Sequence, residues 1–273
     1  MAFARQPLRS LVYDTKMNSC PPPHPGRSAA LVILVLGPLA WLMFGHGEPI
    51  PQDRGYHLFA DGRSCLGIPN FGNIASNLLF LLIGLAGVRH CLRDRRGAWC
   101  SWVVFFAGVA LVFFGSSWYH RAPNNDTLVW DRLPMTMAFM GLFAALVSEH
   151  LGSRLEARLL AGALAVGLFS VFWWQWSGDL RIYIWVQGAP LLVIPYLIAA
   201  FPGRYDRRHW LLWGVGFYAL AKVAELYDHE IYAATATAIS GHSVKHLLAA
   251  LAVFCVLRML QTRQSLTPVA SSQ

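Results

Sequence analysis

Eight stretches of the sequence are long and apolar enough to cross a lipid bilayer, and this feature constrains the fold more than any other. A hydrocarbon core about 30 Å thick is spanned by about 20 mostly apolar helical residues. The candidate spans are residues 28–46, 72–92, 98–119, 131–149, 156–175, 181–201, 209–227 and 241–260. A composition of 56% hydrophobic and 13% charged residues is also atypical of a soluble domain. The sequence therefore predicts an all-α fold, a polytopic membrane helical bundle.

Basic residues are distributed unevenly over the two sets of loops between these spans. Fifteen Lys and Arg residues lie on the side that holds both termini, whereas four lie on the opposite side. Cytoplasmic loops of membrane proteins are enriched in Lys and Arg, so both termini are predicted to be cytoplasmic. Because these loops account for most of the basic residues behind the net charge of +8, nucleic acid is not a predicted partner.

The two ends of the chain differ in composition from the spans. Residues 1–27 are polar and proline-rich and are predicted to form a disordered cytoplasmic tail, with Met1 or Met17 open as the start. Residues 28–71 would form the first span and an outer loop, and residues 261–273 a second cytoplasmic tail. The five cysteines include no CxxC pair and no spacing typical of a metal knuckle.

Several polar side chains occur where a membrane span should be apolar, and they share one depth. Burying such groups in lipid is costly, so each requires a structural or functional reason. They open or close five non-consecutive spans on the outer side, namely Ser76, Asn77, Ser116, His120, Asp131, Lys222, Glu225, Asp228, His242 and His246. The sequence therefore predicts a polar site near the outer face of the bundle.

The spacing of the histidines indicates a metal site. His242 and His246 are four residues apart, so both imidazoles lie on one helical face, as in the HExxH helices that bind zinc. His120 is the remaining histidine placed at this depth inside the bundle. Three histidines and one open position are typical of catalytic zinc, which lowers the pKa of a bound water to near neutral. We expect Zn²⁺ to be bound by these three residues.

Two further residues are candidates for catalysis. Asp131 is placed to act as the general base or to orient the water. Ser116 lies one turn before His120 on the same helical face and is a candidate donor to a developing oxyanion.

Each of these residues also has a plainer interpretation when taken alone. The histidine pair is compatible with hydrogen bonds between helices or with a proton relay, and His120 with an interfacial anchor. Ser116 could serve helix packing, and Asp131 could begin a helix, where a carboxylate is favourable. Asp126 could cap that same helix, and the charged residues at the end of the seventh span could form a supporting network. Convergence at one depth is what favours the metal site.

The motifs resemble those of the alkaline ceramidase family, which belongs to a superfamily of membrane hydrolases that includes adiponectin-receptor-like proteins. The resemblance rests on S-x-x-x-H (Ser116 to His120) followed by Asp131, on H-x-x-x-H (His242 to His246), and on A-S-N-L-L-F at residues 75–80. It implies a seven-helix core over residues 72–260, with the first span as an addition. It also implies that the three histidines bind zinc and that Ser116 and Asp131 are catalytic.

The resemblance further implies a substrate and a place in the cell. The substrate would be a membrane lipid, ceramide or another N-acyl lipid, cleaved at its amide bond to a fatty acid and a free amine. Eukaryotic members carry a cluster of acidic residues that binds calcium. In this sequence Asn70 replaces one of those carboxylates, and upstream only Asp61 is a clear acidic candidate, so calcium binding is not predicted. The arginine-rich loops and short length suggest a bacterial inner-membrane protein. A receptor of the superfamily with marginal turnover and a proton-coupled transporter remain alternatives, and the oligomeric state stays open.

Overall fold

The computed structural model describes residues 25–266, and the regular structure in that range is helical. The helices are α1 Pro25–Ala40, α2 Phe71–Ser76, α3 Leu78–Arg93, α4 Trp99–Arg121, α5 Asn125–Leu151, α6 Glu156–Ser177, α7 Arg181–Ala200, α8 His209–Leu226, α9 Asp228–Ala234 and α10 Gly241–Thr262. The prediction of an all-α bundle is confirmed.

Seven helical segments of the described chain are long and apolar enough to cross a membrane. They are Pro25–Gly45, Phe71–Arg93, Trp99–Arg121, Asn125–Leu151, Ser153–Ser177, Arg181–Ala200 and Gly241–Thr262. The protein is therefore an integral membrane protein. The seventh predicted span, residues 209–227, is a helix, α8, but it does not belong to this set, because Lys222 and Glu225 near its end lower its hydropathy. It still packs along α10.

The first and last helices of the described chain extend slightly beyond the predicted spans. Residues 1–24 of the predicted cytoplasmic tail lie outside the described residues, whereas Pro25 to Arg27 already belong to α1. After α1 the chain makes one π-helical turn, Trp41–Gly45. At the other end, Gln261 and Thr262 complete α10, and residues 267–273 lie outside the described residues.

Helix α5 begins six residues before the predicted span, which changes the environment of Asp131. The Asn124 side chain accepts hydrogen bonds from the backbone N–H groups of Asp126 and Thr127, and the Thr127 hydroxyl accepts one from the Asn124 N–H. This reciprocal capping box, not Asp126, begins the helix. Asp131 therefore lies in the second turn, so a favourable position at a helix N-terminus does not explain it.

Small residues allow the central helices to approach closely. A Cβ atom on Gly84 of α3 would lie 2.5 Å from the backbone nitrogen of Ala110 in α4, and one on Gly108 of α4 would lie 2.6 Å from that of Ala138 in α5. Such contacts are how helices pack in lipid, where no hydrophobic effect drives them together. Closer to the end of α4, a Cβ atom on Gly115 would overlap the Trp130 carbonyl oxygen of α5, so the two helices also pack closely near the candidate site.

The first helix lies at the side of the bundle. α1 packs mainly on α7, and the indole Nε1 of Trp185 donates a hydrogen bond to the Val35 carbonyl over 2.6 Å. The segment from residue 46 to residue 70, here called the cap segment, then crosses the end of the bundle where α4 and α8 finish and α5 and α10 begin.

Candidate metal centre

Three buried imidazoles meet at this end of the bundle. His120 lies in the last turn of α4, and His242 and His246 lie in the first two turns of α10. One ligating nitrogen from each lies within 4.8 Å of the others. The ring centroids are 4.8 Å apart for His120 and His242, 5.2 Å for His120 and His246, and 4.8 Å for the pair on α10. The structure thus brings together the three histidines that the sequence singled out.

Hydrogen bonds to His246 show which of its two ring nitrogens is free to bind a metal. Its Nδ1 lies 2.8 Å from the Ser76 hydroxyl and 3.2 Å from the Asn73 carbonyl oxygen. The Ser76 hydroxyl itself donates to that carbonyl, so it accepts from an Nδ1–H group. This arrangement leaves the Nε2 lone pair of His246 available, as in most histidines that bind metals.

The other two histidines carry buried nitrogens without hydrogen-bond partners among the described residues. These unpaired atoms are both ring nitrogens of His120 and the Nε2 of His242. Buried polar atoms without partners are rare in native proteins, and an unseen ion is one accepted reason for them. Three imidazoles that point at one another with free nitrogens fit a tetrahedral metal with one open position. The buried triad is therefore able to hold a metal ion.

The start of α10 is held in place by several hydrogen bonds that the sequence did not reveal. Asp228 accepts from the His242 backbone N–H over 2.7 Å and from the Ala60 N–H of the cap segment over 2.9 Å. The Asn73 side-chain oxygen accepts from the hydroxyls of Ser240 and Ser243. Asp228, grouped by sequence with Lys222 and Glu225, thus begins α9 and fixes the helix that carries two of the three histidines.

Ser116 and Asp131 lie beside the triad and are both buried. The Ser116 side chain, one turn before His120, lies near the Asp131 carboxyl group. Together with His246, both residues line one cavity. A carboxyl group and a hydroxyl group therefore lie in the same cavity as one of the three imidazoles.

The cap segment covers the triad. The Phe59 ring packs on His120 and His242 at centroid distances of 4.6 and 4.5 Å. Asn70, at a left-handed φ of 48°, donates from Nδ2 to the His120 carbonyl over 2.8 Å and so fixes the end of α4. An apolar ring thus separates the imidazoles from the space beyond the cap segment.

An ion pair between the buried Asp61 and the exposed Arg63 stabilises the cap segment. Asp61 is almost inaccessible and accepts hydrogen bonds from the guanidinium of Arg63, which lies near the Tyr232 ring. These bonds lower the pKa of Asp61 below its ordinary value of 3.8. Asp61 therefore stays ionised at neutral pH and holds the cap segment against α9.

A cavity of about 370 Å³ leads from the site into the bundle. Its site end is lined by Ser116, Asp131 and His246, and its far end by apolar residues such as Phe105, Leu211 and Val256. From His246 to Val256 along α10 the depth is about 15 Å at the helical rise. This is half of a hydrocarbon core about 30 Å thick, the depth that one leaflet's acyl chains occupy.

Charged side chains are concentrated at the site end of the cavity. Glu225 accepts from Lys245 over 2.6 Å, from Lys222, and from the Tyr56 hydroxyl over 3.2 Å. Lys245, although it lies between the two histidines in sequence, is thus directed toward α8 and not toward the triad. This pairing is unfavourable for a relay of protons along the histidines, which the sequence left open.

Comparison with known proteins agrees with this geometry. Residues 67–197 match the model of the ceramidase family, and over this stretch the chain belongs to that family. The match includes Ser116, His120 and Asp131 but ends before the two histidines of α10, which the fold brings to the same place. No curated protein matches the chain.

Proposed function

We propose that this ceramidase-family chain is a zinc-dependent amidase of the membrane. It hydrolyses the amide bond of ceramide or a related N-acyl lipid, giving a fatty acid and a free amine, a sphingoid base in the case of ceramide. The observation that carries the proposal is the convergence of three buried histidines with free nitrogens beside Ser116 and Asp131. The family match supports amide hydrolysis and a lipid substrate.

The donor set favours zinc among the metals that the site could hold. Imidazole suits several transition metals, but three neutral histidines with an open position are the ligands of catalytic zinc. His120, His242 and His246 would hold the ion, which would polarise the amide carbonyl and acidify the attacking water.

Asp131 and Ser116 carry out the proton transfers and hydrogen bonding. Asp131 takes a proton from the attacking water and returns it to the leaving amine nitrogen, so the carboxylate is regenerated in each turnover. The Ser116 hydroxyl donates to the oxygen of the former carbonyl as negative charge develops on it. Because both side chains are buried, bulk water does not weaken these interactions.

The acyl chain of the substrate lies in the cavity. Its apolar depth of about 15 Å accommodates one hydrocarbon tail, while the amide remains at the site end. A substrate with long tails enters laterally from the bilayer. We place the metal centre near the outer face of a bacterial inner membrane, with both termini cytoplasmic, on the strength of the basic residues in the loops.

The test is release of labelled fatty acid from ceramide by the purified, zinc-loaded protein, compared with two matched variants. Asp131→Asn is expected to lower kcat by about a hundredfold or more, the usual contribution of a general base. Asp126→Asn changes an exposed carboxylate on the same helix and should leave the rate unchanged. Absence of hydrolysis of ceramide and of other N-acyl lipids by the wild-type protein would refute the proposal, as would full activity of Asp131→Asn.

A further inference from the structure

Arg132 is a buried positive charge at the site end of the cavity, and it has no carboxylate partner. It is 5% exposed and lines the cavity next to Asp131. Within residues 25–266, the ion pairs do not include it. One guanidinium nitrogen, Nη2, donates to the side-chain oxygen of Gln52, whereas Nη1 is buried and unpaired.

Two aromatic rings hold this guanidinium in a fixed position. Its Cζ atom lies 3.9 Å from the ring centroid of Trp174 and 4.4 Å from that of Tyr183. Cation–π contacts offset only part of the cost of burying a charge, and the rings themselves are neutral. A rigid guanidinium with a free N–H group is the geometry with which proteins bind carboxylates and phosphates.

No carboxylate near Arg132 forms an ion pair with it in the described part of the chain. Glu225 is shared by Lys222 and Lys245, so two cations there face one anion. The Asp131 carboxyl group lies near Lys245 and Ser116 as well as Arg132, and it forms no ion pair with Arg132 within residues 25–266. Asp53, at the exposed rim, accepts from the Gly55 backbone N–H. The free donor of Arg132 is thus the unsatisfied group at this end of the cavity.

We propose that Arg132 binds an oxyanion, a carboxylate or a phosphate, on the amine side of the substrate, so that the preferred substrates are N-acyl lipids with an acidic headgroup. This inference rests on the proposed amide hydrolysis and narrows its substrate. The acyl chain fills the apolar depth and the amide lies beside Ser116 and Asp131. The headgroup therefore lies at the polar end, where Arg132, Gln52 and Tyr56 line the wall.

The test compares three amides with the same acyl chain: N-palmitoylglycine with a carboxylate, N-palmitoyl-O-phosphoethanolamine with a phosphate, and neutral N-palmitoylethanolamine. For the wild type we expect kcat/KM to be about tenfold or more higher for at least one acidic substrate, the usual effect of a charge-assisted hydrogen bond. The two acidic substrates show which oxyanion is preferred.

Three variants assign that preference to Arg132. Arg132→Gln should lower kcat/KM for the acidic substrate about tenfold more than for the neutral one, so that the preference is lost. Arg132→Lys keeps the charge and loses the planar fork, so part of the preference should remain. Arg54→Gln removes an exposed arginine of the cap segment and should retain the full preference. Thermal unfolding establishes whether each variant is folded. If Arg132→Gln does not fold, the comparison of Arg132→Lys with wild type tests the inference.

A binding measurement separates failure of this inference from failure of the proposed function. Hexadecyl phosphate and palmitate should each be compared with hexadecanol in displacing a fluorescent fatty-acid analogue from the cavity. Tighter binding of an anion by the wild type, lost in Arg132→Gln, supports the subsite even if no amide is hydrolysed. Hydrolysis and binding without an acidic preference, or equal effects of Arg132→Gln on acidic and neutral compounds, overturn the inference. Hydrolysis of the neutral amide then leaves the proposed amidase function standing.

Discussion

Removal of the Ser76 hydroxyl should weaken metal binding without touching a metal ligand. Ser76 accepts from Nδ1 of His246 over 2.8 Å, on the side of the ring opposite the nitrogen that faces the other histidines. This bond fixes the ring orientation and keeps the proton on Nδ1, so that Nε2 is free to bind. In Ser76→Ala, the ring keeps only its contact with the Asn73 carbonyl, over 3.2 Å.

The expected magnitude follows from these two contacts. Loss of a hydrogen-bond partner behind a metal-binding histidine lowers metal affinity by about 10- to 100-fold. Because the Asn73 carbonyl remains in place, we expect the lower end, about tenfold, which corresponds to about 1.4 kcal/mol of binding free energy. Activity at saturating zinc should fall much less than the affinity does.

Competition with a chromogenic chelator measures the zinc Kd directly. The matched control is Ser243→Ala, because that hydroxyl donates to the side chain of Asn73 and contacts no imidazole. Its zinc affinity should stay within about threefold of wild type. The reasoning would be refuted by a wild-type Kd in Ser76→Ala, or by an equal loss in both variants.

Three other predictions concern stability and substrate range. Glu149→Gln leaves the buried Arg263 without its charged partner and should lower the free energy of unfolding by about 3 kcal/mol; an unchanged Tm would contradict this. Ala252→Phe narrows the cavity far from the site and should lower kcat/KM by about tenfold for long acyl chains but not for short ones; uniform loss across an acyl-length series would argue against an acyl-binding cavity. Arg63 lowers the pKa of Asp61 below 3.8, so the stabilisation that this carboxylate provides is present above that value and lost as pH falls through the lowered pKa. Wild type and Asp61→Asn should therefore differ in Tm at neutral pH and converge only well below pH 3.8, whereas convergence near pH 6 would exclude Asp61 as the cause.

The helices and the triad could be predicted from sequence because both depend on local spacing. A run of about 20 apolar residues forms a helix in lipid whatever its neighbours are. The four-residue spacing of His242 and His246 fixes their common face, and the position of His120 at the end of its span fixes its depth. These three residues therefore required no knowledge of the loops.

The surroundings of the triad could not be predicted in this way, because they depend on contacts between distant segments. Asn73 contacts His246 through its backbone carbonyl, and because every residue has such a group, the residue type does not reveal this contact. Asp228 looked like the end of a span and instead begins a short helix that anchors α10. Phe59 covers the imidazoles from a segment without periodicity. A polar residue next to an apolar run, such as Asn73, was the one available signal.

The central claim is that the three histidines bind a catalytic zinc ion, and X-ray absorption at the zinc edge tests it most directly on the purified protein. We predict about one zinc per chain with three imidazole nitrogens at about 2.0–2.1 Å and one light-atom ligand. His242→Ala should lose the ion while Asp131→Asn retains it. Wild-type protein that is folded but binds no stoichiometric metal, or zinc bound through sulfur, would contradict the account.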